Sequence, residues 1–201
     1  MSTNSRFSYV SVDIETSGLD RHVHDLVEFG AILDDLKNPK HIDSLPKFHC
    51  YFIAEKYVGS PFALSLHSVA FRRISDRTPG FTYVSPMKFG NLFKQFLVKN
   101  GYELEHDMVT INVAGKNFGA FDLPFLEEKS DVLKHVNIRH RIIDPAVLFL
   151  NKDDNVLPGT ETCKARMGIN EKTSHTALDD AMDVVKMVRF KLGNLFKENK
   201  S

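Results

Sequence analysis

Two carboxylates near the N-terminus, Asp13 and Glu15, are the residues of this chain that point most directly to chemistry. They continue a segment of alternating apolar residues, 9–12, that is typical of a β-strand. Side chains two residues apart lie on one face of a strand, so both carboxylates point in the same direction. Two like charges held side by side repel each other unless a cation neutralises them, and carboxylate oxygens suit Mg²⁺ or Mn²⁺. The alternative is a strand end whose acidic side chains only face water.

A third carboxylate, Asp122, follows the apolar segment 109–114 and precedes a predicted short helix at residues 123–128. Pro124 fits an early position of that helix, so Asp122 is a candidate helix N-cap. Asp122 therefore joins the candidate ligands, with helix capping as the alternative interpretation.

The last cluster of candidate residues lies at the start of a predicted terminal helix and contains His175, Asp179 and Asp180. The helical neighbours of Asp180, at positions 177 and 184, are apolar, so its carboxylate borders the buried face. Asp179 has mostly polar neighbours, which makes Asp180 the better ligand candidate. His175 could turn its imidazole toward the same site, and an exposed histidine is the alternative.

The remaining pattern predicts the elements that must position these side chains. We expect strands at residues 9–15, 26–33, 48–52, 109–114 and 138–143, and helices at 86–99, 123–128, 161–167 and from about 174. Ser85 is the expected N-cap of the helix that begins at Pro86. Strands first and mixed strands and helices later predict an α/β fold, with a mixed β-sheet flanked by α-helices and an antiparallel meander at its start.

Composition restricts the protein class without identifying a function. The chain has 201 residues, with 26 Lys and Arg against 26 Asp and Glu, so net charge neither indicates nor excludes nucleic-acid binding. We expect one domain over residues 1–201. Cys50 and Cys163 form no C-x-x-C pair, and no apolar run approaches the roughly 20 residues of a membrane span. A soluble, intracellular, cytoplasmic protein with free thiols is the expectation.

Taken in order, the three clusters form one constellation: DIETSGL at residues 13–19, FDLPFL at 121–126 and HTALDDA at 175–181. This constellation resembles the DEDDh 3′–5′ exonucleases of the DnaQ-like superfamily, which includes polymerase proofreading subunits, RNase T and oligoribonuclease. The resemblance covers residues 9 to about 190. It implies an RNase H-like fold with a core at about 7–192, and a metal-dependent exonuclease that releases nucleoside 5′-monophosphates from 3′ ends.

The resemblance also implies roles for individual residues. Asp13, Glu15, Asp122 and Asp180 would hold two Mg²⁺ or Mn²⁺ ions, and these four residues with His175 would form the catalytic set. His175 would be the general base that takes the proton of the attacking water.

Four further residues match positions near the substrate in that family. Thr16 would lie near the terminal sugar, and Leu19 would pack against bases. His67 matches a position close to the substrate, with a surface histidine as the alternative. Phe121 could stack on a base, with core packing as its alternative.

The loop before Asp122 departs from the family pattern. Relatives commonly carry a His-Asn pair with Asn four residues ahead of the second-motif Asp. Here that position is Phe118, while Asn117 stands one residue earlier and Lys116 precedes it. Substrate contacts of this loop are therefore open.

The sequence leaves substrate and partners open. Single-stranded DNA is the first expectation, and trimming of RNA by an exoribonuclease similar to oligoribonuclease is the alternative. A proofreading role would require a polymerase or another protein partner, a homodimer stays open, and no membrane contact is expected. A rival of another class is an inactive nucleic-acid-binding or regulatory module, which should have lost at least one of the five catalytic residues.

Overall fold

The computed structural model describes residues 7–170 and 174–196. Its strands are β1 (Ser8–Thr16), β2 (Leu26–Asp35), β3 (Lys47–Phe52), β4 (Tyr83–Val84), β5 (Leu104–Glu105), β6 (Met108–Ile111), β7 (Val113–Ala114) and β8 (Val136–Ile138). Its α-helices are α1 (Pro61–Leu66), α2 (Ser68–Asp76), α3 (Pro86–Lys99), α4 (Asp122–Lys129), α5 (Pro145–Leu148), α6 (Thr160–Arg166) and α7 (Ala177–Leu192). Short 3₁₀ turns lie at Ile42–Ser44, Val132–Lys134 and Gly193–Phe196.

The main sheet has five strands in the order β4-β3-β2-β1-β7. β1, β2 and β3 form the predicted antiparallel meander, and β7 and β4 add to its two edges in parallel. The prediction of an α/β fold with a mixed sheet flanked by helices is confirmed, and the topology is consistent with an RNase H-like fold. Within the described residues, no helix combines the length and the apolar character needed to cross a bilayer.

The prediction of one strand at residues 109–114 is wrong, because this segment forms two strands in two different sheets. β6 belongs to a second sheet of order β5-β6-β8, whereas β7 pairs with β1. The division falls at Asn112, whose backbone carbonyl accepts from Val10 N at 2.9 Å and whose side chain donates to Ser8 O at 2.9 Å. The predicted strand at 138–143 is likewise reduced to β8 and one isolated bridge at Ile143.

A cluster of aromatic rings packs α3 against the sheets. Phe89 and Phe93, on the predicted apolar face of α3, contact Phe29 of β2 with ring centroids 4.6 and 5.0 Å apart. This core also takes apolar residues from β6 and β8, so the two sheets share one hydrophobic cluster. Ser85 is the N-cap of α3 as predicted, but its side chain makes no hydrogen bond to the helix.

Helix α7 packs across β1 and β2 and begins later than predicted. Thr176 is its N-cap and accepts a hydrogen bond from Asp179 N, so the helix begins at Ala177 rather than near residue 174. Its approach to the sheet depends on Gly30, which lies opposite Asp13 in the β1–β2 register. A Cβ at position 30 would lie 2.5 Å from the backbone nitrogen of Leu178, so any side chain there would push α7 outward.

We expect Gly30→Ala to lower the free energy of unfolding by about 1–3 kcal/mol, because the added methyl group overlaps the α7 backbone. Urea denaturation followed by circular dichroism measures the change. Gly193→Ala is the matched control, since a Cβ there meets no atom within 4 Å. Equal stabilities of the two variants would contradict the close approach of α7 to β2.

Candidate metal centre

Three carboxylates from two elements meet at the end of β1. Asp13 and Glu15 lie two residues apart on β1, as predicted, and Asp180 lies in the first turn of α7. One carboxylate oxygen from each of the three lies within 4.8 Å of the others. The group could therefore hold a metal ion, as predicted from the sequence.

Asp122 lies beside this group and is almost fully buried, with 4% of its surface exposed. Its Oδ1 accepts a hydrogen bond of 3.1 Å from the backbone nitrogen of Ile14, between Asp13 and Glu15. The alternative interpretation of Asp122 as a helix N-cap is wrong, because Phe121 is the N-cap of α4 and Asp122 is its first residue. The side chain is directed at β1.

Burial raises the pKa values of all four carboxyl groups, and repulsion by neighbouring carboxylates of the cluster adds to the rise for Asp13 and Glu15. Burial is the largest cause for each, and it raises the pKa of Glu15 to about 8, of Asp122 to about 8 and of Asp180 to about 7. The pKa of Asp13 lies well above its usual range, because Asp13 is buried and has Asp122, Glu15 and Asp180 as charged neighbours. Such a group of carboxylates is stable in its ionised form only with a compensating positive charge.

Among the described residues, these carboxyl groups have few partners, which supports a cation at this position. Asp180 Oδ1 is buried and has no hydrogen-bond partner among the described residues. Within residues 7–170 and 174–196, no lysine or arginine is found in an ion pair with Asp13, Glu15 or Asp122. A buried unpartnered carboxylate oxygen is costly, and a divalent cation would satisfy it. The donor set, consisting of oxygens only, fits a hard cation.

His67 lies at the edge of the cluster, and its alternative interpretation as a surface histidine is wrong. Only 6% of its surface is exposed, and its Nε2 lies 3.3 Å from Glu15 Oε2. Burial is the main cause that lowers the pKa of His67, so the ring is neutral near pH 7 and can donate one hydrogen bond.

His175 precedes α7 rather than lying within it. Its side chain is exposed, and its backbone has a φ of 54°, in the left-handed region that few residues other than glycine adopt. Its charge lowers the pKa of His67, which places the two imidazoles in electrostatic reach of each other. The role of His175 as a base stays a prediction.

A pocket of about 260 Å³ lies between the turn after β1 and helix α4. Leu19 and Phe121, both predicted substrate contacts, line this pocket, and Leu19 is 85% exposed. Phe121 also packs against Phe125, with ring centroids 5.1 Å apart, so core packing accounts for part of its surface. Thr16 is buried, and its hydroxyl donates to Gly18 O at 2.6 Å.

Two features of the site were missed by the sequence analysis. Glu28 of β2 is 2% exposed, bonds to His49 at 2.7 Å and raises the pKa of Asp13 and Glu15. An acidic residue inside the apolar strand predicted at 26–33 was the available signal. Thr160, at the start of α6, lines a pocket of about 170 Å³ with Asp13, and no local sequence pattern indicates it.

No family model matches the chain, and no curated protein matches it significantly.

The raised carboxyl pKa values predict how stability depends on pH. Between about pH 4 and pH 8 these carboxyl groups bind more protons in the folded protein than in the unfolded chain, so they should make the metal-free protein lose stability as the pH rises through this window. Thermal denaturation at several pH values measures this loss. Added Mn²⁺ should raise the melting temperature, and it should do so more at pH 8 than at pH 5, because protons compete with the metal at the lower pH.

Glu15→Gln should reduce both the pH dependence and the stabilisation by Mn²⁺, because it removes one carboxylate from the cluster. The matched control is Glu105→Gln, at an exposed position on β5. A melting temperature that does not respond to Mn²⁺ at pH 8 would contradict a metal centre at this position.

Proposed function

We propose that this protein is a metal-dependent 3′–5′ exonuclease that hydrolyses single-stranded nucleic acid and releases nucleoside 5′-monophosphates. The observation that carries the proposal is the convergence of Asp13, Glu15 and Asp180 at the end of β1, with Asp122 beside them. The order of these residues along the chain is that of the DEDDh exonucleases, and all five residues of the catalytic set are present.

The four carboxylates would hold two Mg²⁺ or Mn²⁺ ions. When bound, such ions lower the pKa of a coordinated water and neutralise charge that develops on a phosphate. The contribution of the chain is to fix the ligands: β1 presents two of them, and α4 and α7 each bring one. Because each ligand is on a regular element, the spacing of the site is set by the packing of the fold.

The chemical step would be hydrolysis of the last phosphodiester bond. In this proposal His175 removes a proton from water as its oxygen bonds to phosphorus. The bond between phosphorus and the O3′ of the preceding nucleotide breaks, and O3′ takes up a proton. The products are the shortened chain with a free 3′-hydroxyl and the terminal nucleotide with a 5′-phosphate. His67 would act indirectly, by donating to Glu15 and holding that carboxylate in orientation.

The pocket between Leu19 and Phe121 would receive the terminal base. Leu19 projects into solvent and Phe121 offers part of a ring face, and apolar surfaces of this kind bind bases without strong sequence preference. The arrangement suits DNA and RNA equally. Single-stranded DNA is the first substrate to test, and trimming of RNA is the alternative.

The first test is cleavage of 5′-labelled DNA and RNA oligonucleotides with Mg²⁺ or Mn²⁺. We expect a ladder that shortens from the 3′ end and release of nucleoside 5′-monophosphates, detected by gel electrophoresis and chromatography. Asp13→Asn should abolish cleavage, and His175→Ala should lower kcat by roughly 10²–10⁴-fold, the usual contribution of a general base. Asp179→Asn is the control, since Asp179 is exposed and lies outside the group of carboxylates that could hold a metal ion. If both oligonucleotides stayed intact, the proposal would be wrong.

A second test concerns the terminal base. Leu19→Ala should raise KM for single-stranded substrates about tenfold and change kcat less, because it removes an apolar contact to the base but no group at the phosphate. Steady-state kinetics separate the two constants. Val156→Ala is a control at a similarly exposed apolar residue outside this pocket. An unchanged KM in Leu19→Ala would exclude Leu19 from substrate binding.

A further inference from the structure

A lysine outside the catalytic set lies in the pocket beside the candidate metal centre. Lys116, in the loop between β7 and α4, lines the same pocket of about 170 Å³ as Asp13 and Asp180. Asn117 and Thr160 complete the polar part of this lining. The pocket therefore joins a cationic side chain to two of the carboxylates that could hold a metal ion.

Contacts of the residues on either side of Lys116 fix the loop that carries it. On one side, Gly115 N donates to Ile143 O at 3.1 Å, and a Cβ at position 115 would lie 2.8 Å from the carbonyl oxygen of Val12. The loop backbone therefore rests directly on β1, next to Asp13. On the other side, Asn117 adopts a left-handed backbone with a φ of 58°.

Asp144 secures this second side of the loop. Its Oδ2 accepts from Asn117 N at 3.0 Å, while its Oδ1 accepts from Ala146 N at 2.8 Å and caps α5. A left-handed backbone at Asn117, held by a helix-capping carboxylate, leaves Lys116 little backbone freedom. Lys116 is thus presented to the pocket by a fixed loop.

The ammonium group of Lys116 has no partner among the described residues of the protein. Lys116 is half-buried, and within residues 7–170 and 174–196 its side chain forms no hydrogen bond and no ion pair. Lys94 and Lys164, the buried lysines of the fold, each pair with an aspartate at 2.9 and 2.6 Å. A half-buried lysine without a protein partner, next to carboxylates that it does not neutralise, is available to an anion that enters the pocket.

We propose that Lys116 is a substrate-binding residue whose ammonium pairs with a non-bridging phosphate oxygen of the nucleic acid at the candidate metal centre. This inference rests on the proposed function and assigns it a further residue. A phosphodiester carries negative charge, and attack by water places more charge on the same oxygens, so a fixed cation stabilises both the bound state and the transition state. The compact lysine head group interacts as a point charge and does not distinguish bases or sugars.

The test compares Lys116→Met, which keeps the length of the side chain but not its charge, with Lys116→Arg and the control Lys88→Met. Lys88 is exposed on α3, away from the pocket. Binding of a 5′-labelled oligothymidylate is measured by fluorescence anisotropy at several salt concentrations, in a His175→Ala background with Mg²⁺. Lys116→Met should weaken binding about tenfold and lower the slope of log affinity against log salt by about 0.7, the contribution of one phosphate contact to a single strand.

Lys116→Arg should restore most of the affinity and the salt slope, because it restores the charge. In the active background, Lys116→Met should lower kcat/KM for DNA and RNA by similar factors. If the wild type cleaves but Lys116→Met binds like Lys88→Met, the inference is wrong and the proposed function stands. The same conclusion follows if Lys116→Met only lowers the melting temperature. If the wild type neither binds nor cleaves the oligonucleotides, the proposed function itself fails.

Discussion

The repulsion among four carboxylates at the end of β1 is the constraint on which the rest of this structure depends. Asp13, Glu15, Asp122 and Asp180 are each at least half-buried, and each has its pKa raised by burial. In its ionised form, such a cluster pushes its supporting elements apart in the absence of a cation. Contacts outside the cluster must therefore hold β1, α4 and α7 in place. These contacts offset the repulsion among the carboxylates.

Helix α7 has the strongest of these supports. Ser11 Oγ donates to Ala181 O at 2.7 Å, one residue beyond Asp180, and ties the helix backbone to β1. At the far end of the helix, Arg189 bonds to both oxygens of the fully buried Asp34 side chain at 2.8 and 2.6 Å. Because the helix is held near its start and near its end, Asp180 cannot move away from Asp13 without breaking a buried contact. Gly30 adds to this by removing any side chain that would hold α7 off the sheet.

The sequence predicted those features that depend on local periodicity. Period-two alternation placed Asp13 and Glu15 on one face of β1, and helical neighbours selected Asp180 over the exposed Asp179. What it could not predict depends on tertiary contacts. Asn112 divides one apolar run between two sheets. It does so through hydrogen bonds with Ser8 and Val10, which no local sequence pattern predicts. The burial of His67 and the pocket position of Lys116 likewise result from packing between distant segments, whereas the later start of α7 follows from the local cap at Thr176.

The two histidines beside the cluster show how burial separates chemical roles. His67 is enclosed, carries a pKa lowered mainly by burial, and lies with its Nε2 3.3 Å from Glu15 Oε2, so a neutral ring faces this carboxylate. His175 is exposed and stands before the helix that carries Asp180, so its imidazole can exchange protons with solvent. A base that takes a proton from water must afterwards release it to solvent, which exposure permits, whereas burial suits a group that positions a neighbouring carboxylate. In the proposed exonuclease, these two environments suit His175 to the role of the base and His67 to the support of Glu15.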